Sequence, residues 1–203
     1  ALRDVLTWNP KFVMLLDLDE ELVEFFTHPN GSNDNTAFIK MNNGSFSDPR
    51  VQTRFGDAWL GVDTLITEGR RFDVIIVDLP DPNHPDLNKL YSTGFYNKLR
   101  NVLTGDGAMV VQSTSPYHAK RTFLSVGKTI EASGFSQVDQ YHANVPSFGE
   151  WGWTIGVPHG ASPKTRIGNF KGPLPESWAT PEMIEASFVF GRNFFANKQP
   201  IKI

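Results

Sequence analysis

The chain of 203 residues is long enough for one domain with a full hydrophobic core. Its 19 basic and 22 acidic residues include no Lys/Arg-rich run, so the electrostatic footprint of a nucleic-acid-binding protein is missing. The lack of cysteine excludes disulfides, thiolate nucleophiles and cysteine-based zinc sites, and the apolar runs are too short to span a bilayer.

The first residues carry a helix pattern without a start signal. Ala1 to Leu6 are typical of the interior of a helix, because no N-cap residue and no strand precede them. We therefore expect this sequence to be a segment of a longer polypeptide, truncated before residue 1.

Strands and helices alternate along the first part of the chain. The predicted elements are strand 12–17, helix 20–26, a short helix near 37–41, strand 51–55, helix 58–68, strand 72–78, helix 93–103, a turn at 104–107 and strand 108–112. Val74 to Val77 form a continuous apolar run, as in a parallel strand that helices cover on both faces. The alternation predicts an α/β protein with a mostly parallel sheet.

The last part of the chain breaks this alternation. A helix over 117–133, closed by Gly134, is followed by strands 136–145 and 151–157 with no helix between them, so these two strands should be antiparallel. Residues 158–203 are expected to wrap the surface and to end in a helix over 181–190. A parallel sheet with a C-terminal antiparallel hairpin resembles the Rossmann-like fold of class I S-adenosylmethionine-dependent transferases, here as one domain over 1–203.

Two carboxylates follow the third predicted strand. Asp78 ends that strand, and Leu79-Pro80 stops it, since proline lacks the ladder donor and restricts its predecessor. Asp81 is thereby turned back beside Asp78. Neighbouring carboxylates repel each other, so the pair is suited to holding an amine and accepting its proton. The alternative is a loop with an Asx-turn and no chemistry.

Two further acids end predicted strands. Asp17 and Asp57, like Asp78, should lie along the carboxyl edge of the sheet, where doubly wound folds bind ligands. Asp17 is placed to chelate ribose hydroxyls, and Asp57, followed by the small Ala58, to accept from an adenine amino group. Each acid has a structural alternative, because aspartate at a strand end often caps the next helix.

Other polar and aromatic groups give weaker signals. The five histidines show no metal-site spacing, and Ser113-Thr114-Ser115 lacks the frame of a nucleophile elbow. Phe148, Trp151 and Trp153 could line a pocket, although packing is the commoner use of such rings.

Several segments, in order, resemble those of the polyamine aminopropyltransferases, spermidine synthase and its relatives. They are Leu2 to Leu6, Leu15-Leu-Asp17-Leu-Asp19, Phe55-Gly56-Asp57-Ala58, Asp78-Leu-Pro-Asp81-Pro82, Leu90 to Tyr96, Val110 to Gln112 and Asn144 to Trp153. The resemblance covers nearly the whole chain, and the last segment is similar to a variant from bacterial members whose synthase domain is joined to membrane helices.

The resemblance implies a reaction. An aminopropyl group would pass from decarboxylated S-adenosylmethionine, the co-substrate, to putrescine or a related polyamine, with release of 5′-methylthioadenosine. Asp78 would be the general base and would hold the amine with Asp81. Gln112 and Phe148 would belong to the amine site, Phe148 in place of a tyrosine of many relatives.

The resemblance also implies a donor site and a cellular setting. Asp17 would bind the ribose, and Asp57 with Ala58 the adenine. No metal is predicted, because a sulfonium donor needs none. In the family a glycine-rich loop and a small N-terminal β-domain precede residue 1, so this segment alone is not expected to be a complete enzyme. The parent protein would be a homodimer with this domain in the cytoplasm. Membrane helices outside this sequence could anchor it in the bacterial inner membrane.

Two other functions stay open at this point. An S-adenosylmethionine-dependent methyltransferase would use the same scaffold, and a basic contact for the donor's carboxylate would favour it. A non-catalytic domain of a larger membrane protein would keep the fold for assembly or ligand sensing. In that case Asp78→Asn would change nothing measurable.

Overall fold

The computed structural model describes residues 1–29, 34–82, 84–175 and 179–196. They divide into two compact units. The first comprises the described residues of Ala1–Thr64 with Leu174 and Pro175, and the second comprises those from Leu65 to Pro173 and from Ala179 onward. Parts of the predicted tail, 176–178 and 197–203, lie outside the described residues.

The predicted strands and helices are all present, with shifts at their ends. In chain order they are α1 (Leu2–Leu6), β1 (Val13–Asp17), α2 (Glu20–Thr27), α3 (Thr36–Met41), β2 (Val51–Phe55), α4 (Ala58–Thr67), β3 (Phe72–Val77), α5 (Thr93–Asn101), β4 (Leu103–Gln112), α6 (Lys120–Ala132), β5 (Gln137–Val145), β6 (Gly149–Val157), α7 (Pro163–Asn169) and α8 (Pro181–Ala186). Short 3₁₀ helices cover Ser45–Ser47 and Pro85–Tyr91.

The first unit contains a parallel strand pair. β1 and β2 run in register from Val13 opposite Val51 to Asp17 opposite Phe55. The Gly56 amide then donates to the Asp17 carbonyl at 2.8 Å. The two strands therefore end together, and the residues that follow them share one edge.

The second unit contains a four-stranded sheet in the order β3-β4-β6-β5. β3 pairs with β4 in parallel, whereas β6 pairs antiparallel with both β4 and β5. The predicted antiparallel hairpin is confirmed. The sequence predicts one sheet, yet the strands of the described residues pair as two sheets. Local patterns mark each strand, but its ladder partner depends on contacts between distant parts of the chain.

The beginning of β4 differs from the sequence prediction. The strand starts at Leu103, opposite Phe72, and regular pairing resumes with Ala108 opposite Val74. Residues 104–107 are thus an irregular bulge in the strand rather than a turn before it. The Thr104 hydroxyl fastens this bulge by donating to Asp73 Oδ1 at 3.0 Å.

Helices α5 and α6 supply much of the buried surface in the second unit. Phe95 and Tyr96 on α5, and Phe123 and Ile130 on α6, are at most 2% exposed. Gly134 ends α6 with φ 94°, the left-handed position that the sequence predicts.

The C-terminal segment is more helical than predicted. α7 begins within the stretch for which the sequence predicts a surface-wrapping segment and no helix before residue 181, and Ser162 caps it by accepting from the Thr165 amide. Proline at its first position also favours a helix start. α8 ends at Ala186 rather than near 190. Among the described residues, no helix combines the length and apolar character that a membrane crossing requires.

Candidate active site

The loop after β3 carries the two carboxylates of the predicted amine site. Asp78 comes directly after the last strand residue, Val77, and its side chain is exposed to solvent. Within the described part of the chain, the Asp78 carboxylate makes no hydrogen bond or ion pair. It is therefore available to an external cation.

Asp81 is held on both oxygens. Gln112 Nε2 donates to Asp81 Oδ1 at 2.8 Å, and Thr114 Oγ1 donates to Asp81 Oδ2 at 3.1 Å. Gln112 and Thr114 are 9% and 5% exposed, so both donors come from the packed segment formed by the end of β4 and the residues that follow it. The orientation of the Asp81 carboxylate is thus fixed by the protein, in contrast to that of Asp78.

Tyr91, at the end of the 3₁₀ helix, holds the backbone between the two acids. Its hydroxyl donates to the Pro80 carbonyl at 3.0 Å and lies 3.3 Å from the Leu79 carbonyl. Burial, and then the negative charges of Asp81 and Asp78, raise the pKa of this phenol above its usual range. Tyr91 therefore stays neutral and keeps the proton that it donates.

Sequence reasoning assigned no role to Tyr91 or Thr114. Tyr91 donates to a carbonyl 11 residues away, and Thr114 to a carboxylate 33 residues away. The available signals were indirect: a tyrosine shortly after a proline-rich loop, and a run of hydroxyl residues after a buried strand.

We expect Tyr91→Phe to lower the free energy of unfolding by about 1 kcal/mol, because it removes the hydrogen bond to Pro80. It should also lower kcat/KM for the amine, since the loop is held less firmly. Tyr96→Phe is the matched control: the Tyr96 hydroxyl is buried without a hydrogen-bond partner among the described residues. Urea unfolding should show no loss of stability for Tyr96→Phe, and equal losses for both variants would contradict this assignment.

Asp17 and Asp57 lie together at the edge of the first unit. Asp17 Oδ1 accepts from the Asp19 amide at 3.0 Å, and it is Asp19 that caps α2 by accepting from Leu22. The capping alternative is therefore wrong for Asp17. For Asp57 it holds, because Asp57 Oδ1 accepts from the Trp59 amide at 2.8 Å in the first turn of α4. Ala58 is the first residue of that helix.

The predicted aromatic cluster divides into two pairs. Phe148, 64% exposed in the turn between β5 and β6, has its ring 5.2 Å from that of Trp151. Trp153 instead stacks on Tyr141 at 5.5 Å. Packing explains Trp153, while the contribution of Phe148 to an amine site stays a prediction.

The histidines do not form a metal centre in the described ranges, where no group of three or more His, Asp or Glu side chains could hold an ion. His142 Nδ1 lies 2.7 Å from Glu150 Oε2, and its Nε2 lies 2.9 Å from the Val189 carbonyl. This histidine joins the hairpin to the segment after α8.

The fold defines the class of protein first. Spermidine synthase from Thermotoga maritima has a TM-score of 0.71 at 21% identity and covers 97% of this chain and 63% of its own. A spermidine synthase in complex with the transition-state analogue AdoDATO has a TM-score of 0.72 at 22% identity, with 97% and 64% coverage. The chain therefore has the Rossmann-like fold of class I S-adenosylmethionine-dependent transferases, as predicted.

The sequence comparisons then define the family. Residues 1–167 match the spermine/spermidine synthase domain. The polyamine aminopropyltransferase of Shewanella oneidensis is 48% identical over 206 residues, which cover 100% of this chain and 36% of that protein. That of Corynebacterium efficiens is 35% identical over 201 residues, with 98% and 36% coverage. The chain belongs to the spermine/spermidine synthase family, which confirms the resemblance, and it spans about a third of the length of these relatives.

Proposed function

We propose that the protein carrying this chain transfers an aminopropyl group from decarboxylated S-adenosylmethionine to putrescine or a related polyamine, releasing 5′-methylthioadenosine. The observation that carries this proposal is the unequal pair of carboxylates on one loop. Asp81 is hydrogen-bonded on both oxygens, while Asp78 is exposed. One acid is thus suited to orient an ammonium group, and the other to bind it and take its proton.

The proposed chemistry follows from the state of the amine. A primary amine is protonated at neutral pH, so it binds to carboxylates but cannot attack until it loses a proton. Asp78 accepts this proton as general base. The amine nitrogen then forms a bond to the carbon beside the sulfonium sulfur, and the carbon–sulfur bond breaks with its electron pair passing to sulfur. The products are a secondary ammonium group, which carries the positive charge that the sulfonium loses, and a neutral thioether, and the proton held by Asp78 passes to solvent.

The donor site in this proposal lies at the end of the β1–β2 pair. Asp17 binds the ribose hydroxyls through Oδ2. Its other carboxylate oxygen, Oδ1, already accepts from the Asp19 amide. Asp57 and Ala58 bind the adenine, Asp57 while also capping α4. Phe148 contributes an apolar surface to the amine site. Gln112 acts on the amine through Asp81, because both hydrogens of its amide group are directed at protein oxygens, Asp81 Oδ1 and the Leu79 carbonyl.

The proposal is tested on the longest natural polypeptide that contains this sequence. The protein is incubated with putrescine and either decarboxylated or intact S-adenosylmethionine, and the nucleoside products are identified by mass spectrometry. We expect methylthioadenosine from the decarboxylated donor. S-adenosylhomocysteine from the intact donor would instead indicate a methyltransferase, and the absence of both products from a folded protein would favour a non-catalytic domain.

The partners proposed are small molecules: a polyamine and a nucleoside donor. A homodimeric parent protein, a cytoplasmic location and neighbouring membrane helices stay predictions. Nucleic acid is not proposed as a partner, since the charges of the chain are mixed in sign.

A further inference from the structure

The four residues that end β4 and follow it form a buried polar run. Gln112, Ser113, Thr114 and Ser115 are 9%, 0%, 5% and 2% exposed. Buried polar side chains need hydrogen-bond partners, and the partners show what each one does. Ser113 Oγ lies 2.9 Å from the Val111 carbonyl and from Thr154 Oγ1, and Ser115 Oγ accepts from the amides that begin the next turn. These two serines support the fold.

Thr114 differs because its hydroxyl is directed at the proposed amine site. Its Oγ1 donates to Asp81 Oδ2 at 3.1 Å, opposite the bond from Gln112 to Oδ1. An ionised carboxylate has about four acceptor positions. Gln112 and Thr114 occupy one acceptor position on each oxygen of Asp81, and the remaining acceptor positions can accept hydrogen bonds from an ammonium group.

The backbone of Thr114 is strained. Its φ is 61°, in the left-handed region. The other non-glycine residues with positive φ in the described ranges are Asn9, Asn43 and Asn193. Asparagine tolerates this conformation, whereas for a β-branched residue it is an outlier. Such strain persists where the surrounding structure enforces it, and it concentrates at functional sites.

Three hydrogen bonds made by backbone amides enforce this conformation. The Thr114 amide donates to Gln112 Oε1 at 2.6 Å, and the Gly152 amide donates to the Thr114 carbonyl at 2.9 Å. The Ser113 amide donates to the Gly152 carbonyl at 2.9 Å. The end of β4 is therefore fastened to β6, and Gln112 binds both Thr114 and Asp81.

We propose that Thr114 is a positioning residue for the acceptor amine: it fixes Asp81 Oδ2 so that the carboxylate presents its remaining acceptor positions to an ammonium group. This inference rests on the proposed function of the site. A positioning role differs from a purely structural one in its expected effect: loss of the Thr114 hydroxyl should weaken amine binding without changing donor binding.

The test compares two substitutions in the same natural-length protein. Thr114→Val removes the hydroxyl but keeps the β-branched shape, and Thr114→Ser keeps the hydroxyl. We expect Thr114→Val to raise KM for putrescine about tenfold, the effect of one lost hydrogen bond to a charged group, with KM for the donor unchanged. Because the same bond is lost from the fold, the assays are run well below the melting temperature of the variant. Thr114→Ser should keep the KM for putrescine close to that of the unsubstituted protein. Thr104→Val is the matched control, since it removes a threonine hydroxyl from another aspartate, Asp73, and should leave both KM values unchanged.

Calorimetric titration with putrescine separates this inference from the proposed reaction. If the unsubstituted protein binds putrescine and Thr114→Val binds it about tenfold more weakly, the role of Thr114 is supported. If the same protein forms no methylthioadenosine, only the proposed reaction is overturned. Equal binding by both proteins overturns the inference, as does a parallel loss of donor binding or a failure of Thr114→Ser to retain affinity. A folded protein that binds no putrescine overturns both proposals.

Discussion

Replacing Asp78 with asparagine is expected to reduce aminopropyl transfer about a thousandfold, the scale of a lost general base. Asparagine matches the shape of aspartate but cannot accept the proton of the bound amine. Because Asp78 is exposed and makes no hydrogen bond or ion pair within the described part of the chain, the substitution should leave the free energy of unfolding within about 0.5 kcal/mol. Turnover, measured as methylthioadenosine release, and urea unfolding are compared on the same preparation.

Asp86→Asn is the matched control for this substitution. Asp86 lies on the 3₁₀ helix that follows the same loop, and its carboxylate is exposed and, among the described residues, pairs only with His84 at 3.4 Å. A surface pair of this kind contributes little to stability, so the control should retain both fold and turnover. Asp78→Asn protein that keeps more than about a tenth of the turnover would show that Asp78 is not the base.

The elements of this fold are predictable from local sequence, whereas their partners are not. Continuous apolar runs and capping residues mark the strands and helices, and the short connection between β5 and β6 is enough to predict an antiparallel pair. The pairing of β4 with β6, 40 or more residues apart along the chain, has no local signal. The bulge at 104–107 is likewise invisible, because glycine and aspartate there favour a turn as strongly as a bulge.

The candidate site divides in the same way. The placement of Asp78 and Asp81 on one loop could be predicted because the strand, the proline and the second acid are contiguous, while their roles stay a proposal. The two interpretations of Asp17 could not be separated without the structure, which shows that the cap of α2 comes from Asp19. Thr114 was missed because its backbone conformation and its partner are set by contacts with other strands.

Gly152 is expected to be the most sensitive glycine near the site. A Cβ atom at this position would lie 2.5 Å from Phe123 Cε2 and 2.9 Å from the Thr114 carbonyl oxygen. Phe123 cannot yield easily, because it is fully buried and packs against Phe194 with a ring separation of 6.1 Å. Gly152→Ala should therefore lower the free energy of unfolding by about 3 kcal/mol.

The same substitution should also affect the amine site, because one of the atoms that the added Cβ would displace is the carbonyl oxygen of Thr114. If the fold adapts by displacing that carbonyl, the Thr114 hydroxyl moves with it and the hold on Asp81 weakens. We expect Gly152→Ala protein, studied well below its melting temperature, to show a raised KM for putrescine. Gly168→Ala is the control: a Cβ there has no neighbour within 4 Å, and alanine inside α7 should raise stability by about 0.5 kcal/mol. A Gly152→Ala protein as stable as the Gly168→Ala protein would mean that α6 and β6 are less tightly packed than the distances indicate, and that the strain at Thr114 is not enforced from β6.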